Sequence, residues 1–231
     1  MTGDPLELND EINSKYQHAL LNTDYQNLAK KQKEFETAMR DHWVEVTTPE
    51  GTNIKFQIGD RPVTKQDGDA SKQRSMAAKN LIDREVELPA GAIRVAPIEE
   101  TVEGIIAFPD SDWGGTMVKG LQMVFKSGKV VGIAADEGTE SVKRILDEAG
   151  DAGYSFREFA VGFNPELAIP DTEPKWIPYY GYGAGVVRLS LGDNTELGGK
   201  VSGPFVRWNF FTNASLKVGD DVWVKDGKLI R

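Results

Sequence analysis

The stretch "GPFVRWNFF", residues 203–211, has the pattern of a β-strand in a mostly apolar run. Side chains alternate between the two faces of a strand, so Val206 and Trp208 share one face, which we expect to be core. The other face carries Arg207 and Asn209, and an unpaired charge buried there would be costly. The stretch therefore predicts a sheet with a polar group that needs a partner.

The residues before Asp41 have a helical rather than a strand period. Apolar side chains recur there at Leu8, Ile12, Tyr16 and Leu20, and then at Tyr25, Leu28, Phe35 and Met39. This spacing predicts either two amphipathic helices or one helix with a bend. Between the two runs, Thr23 followed by Gln26 has the pattern of a helix N-cap.

After Asp41 the apolar period changes to two, which is typical of strands. Hairpins are predicted around Ser127-Gly128 and Asp226-Gly227, and one further helix is predicted from about Thr139 to Ala149. We therefore expect an α+β protein with a helical N-terminal arm, residues 1–41, and a β-rich domain that forms one compact unit, residues 42–231.

Composition excludes several classes of function. The chain has 231 residues, 39% of them hydrophobic, with no cysteine and a formal net charge of −9. The missing cysteines exclude disulfides, thiolate nucleophiles and iron–sulfur clusters, and the negative charge opposes broad binding to nucleic acid or anionic membranes. No apolar run approaches the roughly 18 residues of a membrane helix, and the acidic N-terminus does not resemble a signal peptide. We expect a cytoplasmic protein that binds any anionic ligand locally.

Two other strand-like stretches also contain charged residues. Arg188 lies in "GAGVVRLSLGDN" on the face opposite Val187 and Leu189, and Glu158 lies among apolar residues in "SFREFAVGFNPEL". These charges could lie at exposed strand ends, pair in a structural Arg–Glu–Arg cluster, or line a pocket. With only two histidines in the chain, a histidine-based metal site or catalytic triad is nearly excluded.

Five blocks of the sequence carry a family resemblance. They are, in order, "PEGTNIKFQIGDRPV", "LPAGAIRVAPIEETVEGIIAF", "REFAVGFNPEL", "GAGVVRLSLGDN" and "SGPFVRWN". Together they resemble the C-terminal domain of the thermophilic aminopeptidases (aminopeptidases T and S), whose fold is shared by 2,5-dihydroxypyridine dioxygenase. The resemblance covers about residues 16–210 and implies the same fold. In those relatives the domain holds two metal ions or one iron.

Carried over position by position, the resemblance implies that most metal ligands are replaced. Glu158 is retained within the "E-x-x-x-G-x-N" block. The other family ligand positions fall on Ala92, Arg188, Arg207 and Asn209, and the catalytic glutamate falls on Gly183. Because guanidinium groups repel cations, we expect no metal, no cofactor and no metallo-aminopeptidase activity.

Two hypotheses of function follow. In the first, the protein is a metal-independent enzyme that acts by proton transfer on a small carboxylate-bearing molecule, through cyclisation, isomerisation, elimination or hydrolysis. Glu158 would be the general acid or base, and the substrate would be bound by Arg188, Arg207, Asn209, Tyr180 and Tyr182. In the alternative, the protein is a non-catalytic pseudoenzyme or subunit that binds a ligand or a partner protein. The resemblance also implies a homodimer.

Overall fold

The computed structural model describes residues 9–78, 84–170 and 175–231. Its helices are α1 (Asp10–Asn22), α2 (Tyr25–Arg40), α3 (Lys72–Ala77) and α4 (Thr139–Ala149). Residues 10–40 thus form two helices rather than one with a bend, and Leu8, the first residue of the predicted pattern, lies outside the described residues. Within the described ranges, none of these helices combines the length and the apolar character that a bilayer span needs.

The predicted N-cap at Thr23 is wrong by one residue. The Asp24 carboxylate accepts a hydrogen bond from the Asn27 backbone N–H at 3.0 Å and caps α2, whereas the Thr23 hydroxyl donates back to the Ala19 carbonyl at 2.6 Å. An anionic side chain is favoured at a helix N-terminus because it accepts from free N–H groups and opposes the helix dipole. Thr23 instead closes α1.

Most of the strands form one large antiparallel sheet. Its members are β1 (Val44–Thr47), β2 (Asn53–Phe56), β5 (Glu103–Ala107), β8 (Gln122–Lys126), β9 (Lys129–Ala134), β13 (Ser215–Val218), β14 (Asp221–Lys225) and β15 (Lys228–Leu229). They lie in the order β15-β14-β13-β1-β2-β5-β8-β9. The two predicted hairpins are confirmed at Ser127-Gly128, between β8 and β9, and at Asp226-Gly227, between β14 and β15.

A second antiparallel sheet carries the charged residues that stood out in the sequence. It consists of β3 (Val63–Lys65), β4 (Ala92–Val95), β10 (Phe156–Gly162), β11 (Val187–Gly192) and β12 (Val206–Phe211), in the order β12-β11-β10-β4-β3. A short ribbon pairs β6 (Ser111–Asp112) with β7 (Met117–Val118). We call the face of the second sheet that carries Glu158 its outer face, and the opposite face its core face.

One core joins both sheets to the helices. Phe56 of β2 lies 6.0 and 5.2 Å from the rings of Phe156 and Phe159 of β10. Phe35 of α2 is fully buried and packs against Phe159, and it also contacts Trp223 of β14 at 4.9 Å. The core face of the second sheet and helix α2 therefore bury their apolar side chains in the same interior.

The predicted orientation of β12 is wrong. Val206 and Trp208 are 48% and 37% exposed, whereas Asn209 is buried and its amide donates to the Leu189 carbonyl at 3.1 Å. Because β12 is an edge strand, its outward side chains have a neighbouring strand on one side only. The polar residues point inward since each finds a partner there, which the hydrophobic pattern alone does not show.

Candidate functional site

Glu158 is the centre of a buried ionic cluster on the outer face of the second sheet. Its side chain has no exposed surface. Arg94, from β4, donates to Glu158 Oε2 through Nε at 3.2 Å and through Nη2 at 3.1 Å. On the other side, Arg188 Nη2 lies 2.9 Å from Oε1, which also accepts from the Ser190 hydroxyl at 3.4 Å. Both carboxylate oxygens are therefore occupied by neighbouring strands.

A third arginine extends this cluster toward the surface. A bulge in the pairing of β10 with β11 occurs between Phe156 and Glu158, and Arg157 is buried next to Glu158, with its Nε 3.8 Å from Oε2. Arg157 and Arg94 both bind Glu196 Oε1, Arg94 at 3.2 Å. The Glu196 side chain is 39% exposed and is the most exposed member of this group. We call Arg94, Arg157, Glu158, Arg188 and Glu196 the arginine–glutamate cluster.

The charges of the cluster keep Glu158 ionised. Burial alone would raise the pKa of Glu158, but Arg188, Arg94 and Arg157 together hold that pKa below its usual value. Burial lowers the pKa of Arg188, although Glu158 opposes this effect. Glu158 is therefore an anion without access to solvent, and its carboxylate has no exposed surface that a substrate could contact.

Tyrosines cover Arg188. Its Nη1 donates to the Tyr180 carbonyl at 3.3 Å, and its guanidinium lies 4.7 Å from the Trp208 ring centroid. Tyr180 also contacts Trp208, with ring centroids 5.6 Å apart. Tyr182 is buried and donates its hydroxyl proton to Glu87, and burial followed by this carboxylate raises the pKa of Tyr182. The rings of Tyr180 and Tyr182 are 6.4 Å apart, so Arg188, Tyr180 and Tyr182 lie together.

The backbone beneath these rings is strained. Tyr179 and Tyr180 have φ values of 36° and 55°, in a region that side chains with a Cβ adopt only at a cost. Ring contacts at 5.3 Å between these two tyrosines, and the hydrogen bond from Arg188, offset that cost. The turn Tyr179–Gly181 is thus held in place by the cluster on one side and by aromatic packing on the other.

Arg207 and Asn209 lie on the core face, away from Glu158. The Arg207 guanidinium is 3.7 Å from the Trp113 ring centroid, and Nη2 donates to the Ser111 hydroxyl and to the Asp112 carbonyl at 3.1 and 3.0 Å. Burial lowers the pKa of Arg207 to about 10, against the opposing charge of Asp112. The structure therefore separates these two of the predicted substrate-binding residues from Glu158, Arg188, Tyr180 and Tyr182.

Three members of the cluster, Arg94, Arg157 and Glu196, were missed by sequence reasoning. Arg94 lies in "GAIRVAP", between Ile93 and Val95, both of which are in the core. It therefore carried the same signal as Arg188, a charge inside an apolar strand. Arg157 is also a charge inside an apolar strand, but alternation places it on the face opposite Glu158, and the bulge that brings the two together is not visible in the sequence.

The donor set does not fit a metal centre. The resemblance implies that family ligand positions fall on Ala92, Arg188, Arg207 and Asn209. The last two lie on the core face, and the oxygens of Glu158 already bind Arg94 and Arg188. A cation at Glu158 would lie beside three guanidinium groups and would be repelled. Across residues 9–78, 84–170 and 175–231, no group of three or more His, Asp or Glu side chains could hold a metal ion.

Two large cavities lie elsewhere on the molecule. One has a volume of 680 Å³ and is lined in part by Trp176, Ile177 and Lys228. The other has a volume of 550 Å³ and is lined in part by Glu50, Phe210 and Ile177. Neither is lined by Glu158, Arg188 or Arg207.

Comparisons with known proteins agree with this fold. The profile of a family described as thermophilic metalloprotease (M29) matches residues 19–166. The structure of 2,5-dihydroxypyridine dioxygenase from Pseudomonas putida KT2440 is similar, with a TM-score of 0.68 and 17% identity over 95% of this chain and 62% of that one. Wild-type AmpT from Thermus thermophilus has a TM-score of 0.60 and 16% identity over 90% of this chain and 55% of that one. No curated protein sequence matches. At these identities the structures show a shared fold, and this chain spans less than two thirds of either.

Proposed function

Because this chain belongs to the thermophilic metalloprotease (M29) family, we propose that it is a metal-independent member that binds a ligand or partner instead of cleaving peptide bonds. In this proposal the arginine–glutamate cluster takes the structural place of a metal centre. The arginines supply the positive charge that stabilises the Glu158 carboxylate in the interior.

The state of Glu158 is the observation that supports this proposal. A general acid or base needs contact with the substrate and a pKa near the working pH. The Glu158 side chain has no exposed surface, its two oxygens bind Arg94 and Arg188, and its pKa is below the usual value. Such a group stabilises the fold and cannot exchange protons with a bound molecule.

Elemental analysis of protein purified without chelator tests the proposal. We expect less than stoichiometric zinc, iron, cobalt or manganese and no release of amino acids from peptide substrates. Glu158→Gln should leave the metal content unchanged, and Glu166→Gln, on an exposed turn beside His18, is the matched control. Stoichiometric metal that is lost in Glu158→Gln but kept in Glu166→Gln would overturn the proposal.

A second candidate function keeps the cluster as a binding site for a small carboxylate. Arg188 Nε and Arg157 Nε are buried and have no hydrogen-bond partner within the described part of the chain. These free donors favour an enzyme that orients an anionic substrate at Arg188, with Tyr180 and Tyr182 beside it. Arg207 and Asn209 could not join them, since they lie on the core face.

Thermal melts with added small dicarboxylates separate the two candidates. The second candidate predicts a rise in melting temperature for the unchanged protein and no rise for Arg188→Lys, which keeps the charge but loses the planar fork. Because the chain has five tryptophans, the part of the fluorescence change that is lost in Trp208→Phe reports whether the anion reaches Arg188. If no dicarboxylate changes the melting temperature or the Trp208 fluorescence, the second candidate, an enzyme with a carboxylate site at Arg188, is contradicted. The first candidate would then stand.

A further inference from the structure

The two large cavities are neighbours, and we call them together the groove. The 680 Å³ cavity and the 550 Å³ cavity share Ile177 and Thr212 in their linings. Each volume lies within the range of about 300–1,000 Å³ that is typical of small-molecule sites. Neither cavity is lined by Glu158, and the role proposed for the arginine–glutamate cluster leaves the groove without an assignment.

The floor of the groove is rigid because backbones interlock there. Gly185 and Gly227 have φ values of 91° and 77°. A Cβ on Gly227 would lie 1.9 Å from the Thr212 carbonyl oxygen, and a Cβ on Gly185 would lie 2.2 Å from the Gly227 carbonyl oxygen. The Gly227 N–H also donates to the Ala214 carbonyl at 2.8 Å. Because these contacts are all within the chain, the floor needs no ligand contact to hold its shape.

The middle of the groove is apolar. Ile177 lies where the two cavities join, Trp176 and Val186 line the larger cavity, and Phe108 and Phe210 line the smaller one. Trp176 is fixed by an edge contact with the Tyr16 ring at 6.3 Å. An aliphatic or aromatic segment that spans the junction would gain binding free energy in proportion to the apolar surface it removes from water.

The two ends of the groove carry opposite charge. Among the described residues, Lys175 and Lys228 line the larger cavity together with Asp226, whose carboxylate accepts a hydrogen bond from the Ser215 hydroxyl at 3.3 Å. Glu50 and Asp110 line the smaller cavity, where the described lining contains no lysine or arginine.

Both carboxylates at the acidic end are held in place. The Asn213 amide donates to Glu50 at 2.6 Å, and the Gly120 N–H donates to Asp110 at 3.3 Å. Burial acts to raise the pKa of Glu50, but hydrogen bonds from the backbone and from Asn213 keep it below its usual value. The groove therefore has a basic end and an acidic end with an apolar centre.

We propose that this groove binds a linear molecule with an anionic group at one end, an apolar middle and a protonated amine at the other end. The anionic group lies at Lys228, and the amine lies between Glu50 and Asp110. The inference rests on the proposed binding role and gives that role a ligand class. An ω-amino acid and a short apolar peptide with free termini share this chemistry.

Calorimetric titration with matched probes tests the charge pattern. The probes are ω-aminooctanoate, which has both charges, and octanoate and octylamine, which each lack one. We expect the zwitterion to bind about tenfold more tightly than either singly charged probe, because each end forms a charge-assisted contact. Trileucine carries the same two charges on a peptide backbone, so its affinity relative to ω-aminooctanoate distinguishes the two sources.

Charge reversal at the basic end gives the decisive variant. Lys228→Glu should remove the advantage of the zwitterion over octylamine. Lys225→Glu is the matched control, because Lys225 pairs with Lys228 on the same hairpin but lines neither cavity. Equal effects of the two variants, or equal affinities for the three octyl probes, would overturn the inference.

Failure of this inference is separable from failure of the proposed function. A protein that is free of stoichiometric metal but binds none of the four probes contradicts the groove proposal alone. Stoichiometric metal at Glu158 contradicts the proposed function, whatever the groove binds.

Discussion

At the scale of single residues, Glu158 shows how a buried charge depends on its partners. Removing one member of a buried ion pair leaves the others uncompensated, which typically costs about 3–5 kcal/mol. Glu158→Gln strands Arg94, Arg157 and Arg188, and we expect its free energy of unfolding in urea to fall by about that amount. Combining it with Arg188→Met should recover part of the loss, because one stranded charge is gone. A single variant as stable as Glu166→Gln would contradict this.

Glu36 makes a second residue-scale prediction, about pH. Burial would raise the pKa of Glu36, but hydrogen bonds from Lys65 and Arg40 bring it down to about 2. A carboxyl with a lowered folded-state pKa contributes stability above its unfolded pKa and loses it as the pH falls through the folded value. Stability should therefore decline between about pH 4.5 and pH 2. Urea titrations at several pH values should show that the free energy of unfolding of Glu36→Gln falls less over that window than that of the unchanged protein. An equal fall in both proteins would contradict a lowered pKa of Glu36 as the cause.

At the scale of elements, the hairpin between β14 and β15 depends on close backbone contact. Gly227 and Gly115 both have left-handed φ values, of 77° and 85°. A Cβ on Gly227 would collide with Thr212, whereas one on Gly115 meets nothing within 4 Å. The cost of placing alanine at a left-handed φ is therefore similar at the two positions, and only Gly227→Ala adds a steric collision. We expect Gly227→Ala to be less stable than Gly115→Ala by about 1–3 kcal/mol, the usual cost of overpacking. Thermal denaturation measures the difference, and equal melting temperatures would count against the interlocked floor.

At the scale of the whole molecule, we expect a homodimer. Ile105, Val124 and Val131 are 36%, 41% and 62% exposed on the large sheet, and Ile105 and Val124 are cross-strand neighbours. Contiguous exposed apolar surface of this kind is typical of interfaces. Light scattering at micromolar concentration should give about twice the mass of one chain, and Val124→Lys should reduce it. Met117→Lys, at another exposed apolar residue, is the control, and a monomer in the unchanged protein would contradict the expectation.

The sequence could predict the strands more readily than the contacts between side chains of different strands. Alternation places Leu189 in the core and Arg188 opposite it because a strand has two faces. That Arg188 meets Glu158 while Arg207 meets Trp113 depends on strand order and on the edge position of β12, which no local pattern contains. The groove was not predicted for the same reason, since its linings come from distant parts of the chain.

The position of β1 within the large sheet determines when a newly made chain can complete its fold. Val44 pairs with Phe56 on one side and with Val218 on the other, so β1 gains its second neighbour only after β13 has left the ribosome. The ring contact between Phe35 and Trp223 likewise forms only after β14 has been made. Long-range pairing of this kind slows folding and leaves apolar surface open during synthesis. A nascent chain that stops before β13 should therefore be recognised by chaperones. The large sheet is completed only when β13, β14 and β15 have left the ribosome and paired beside β1.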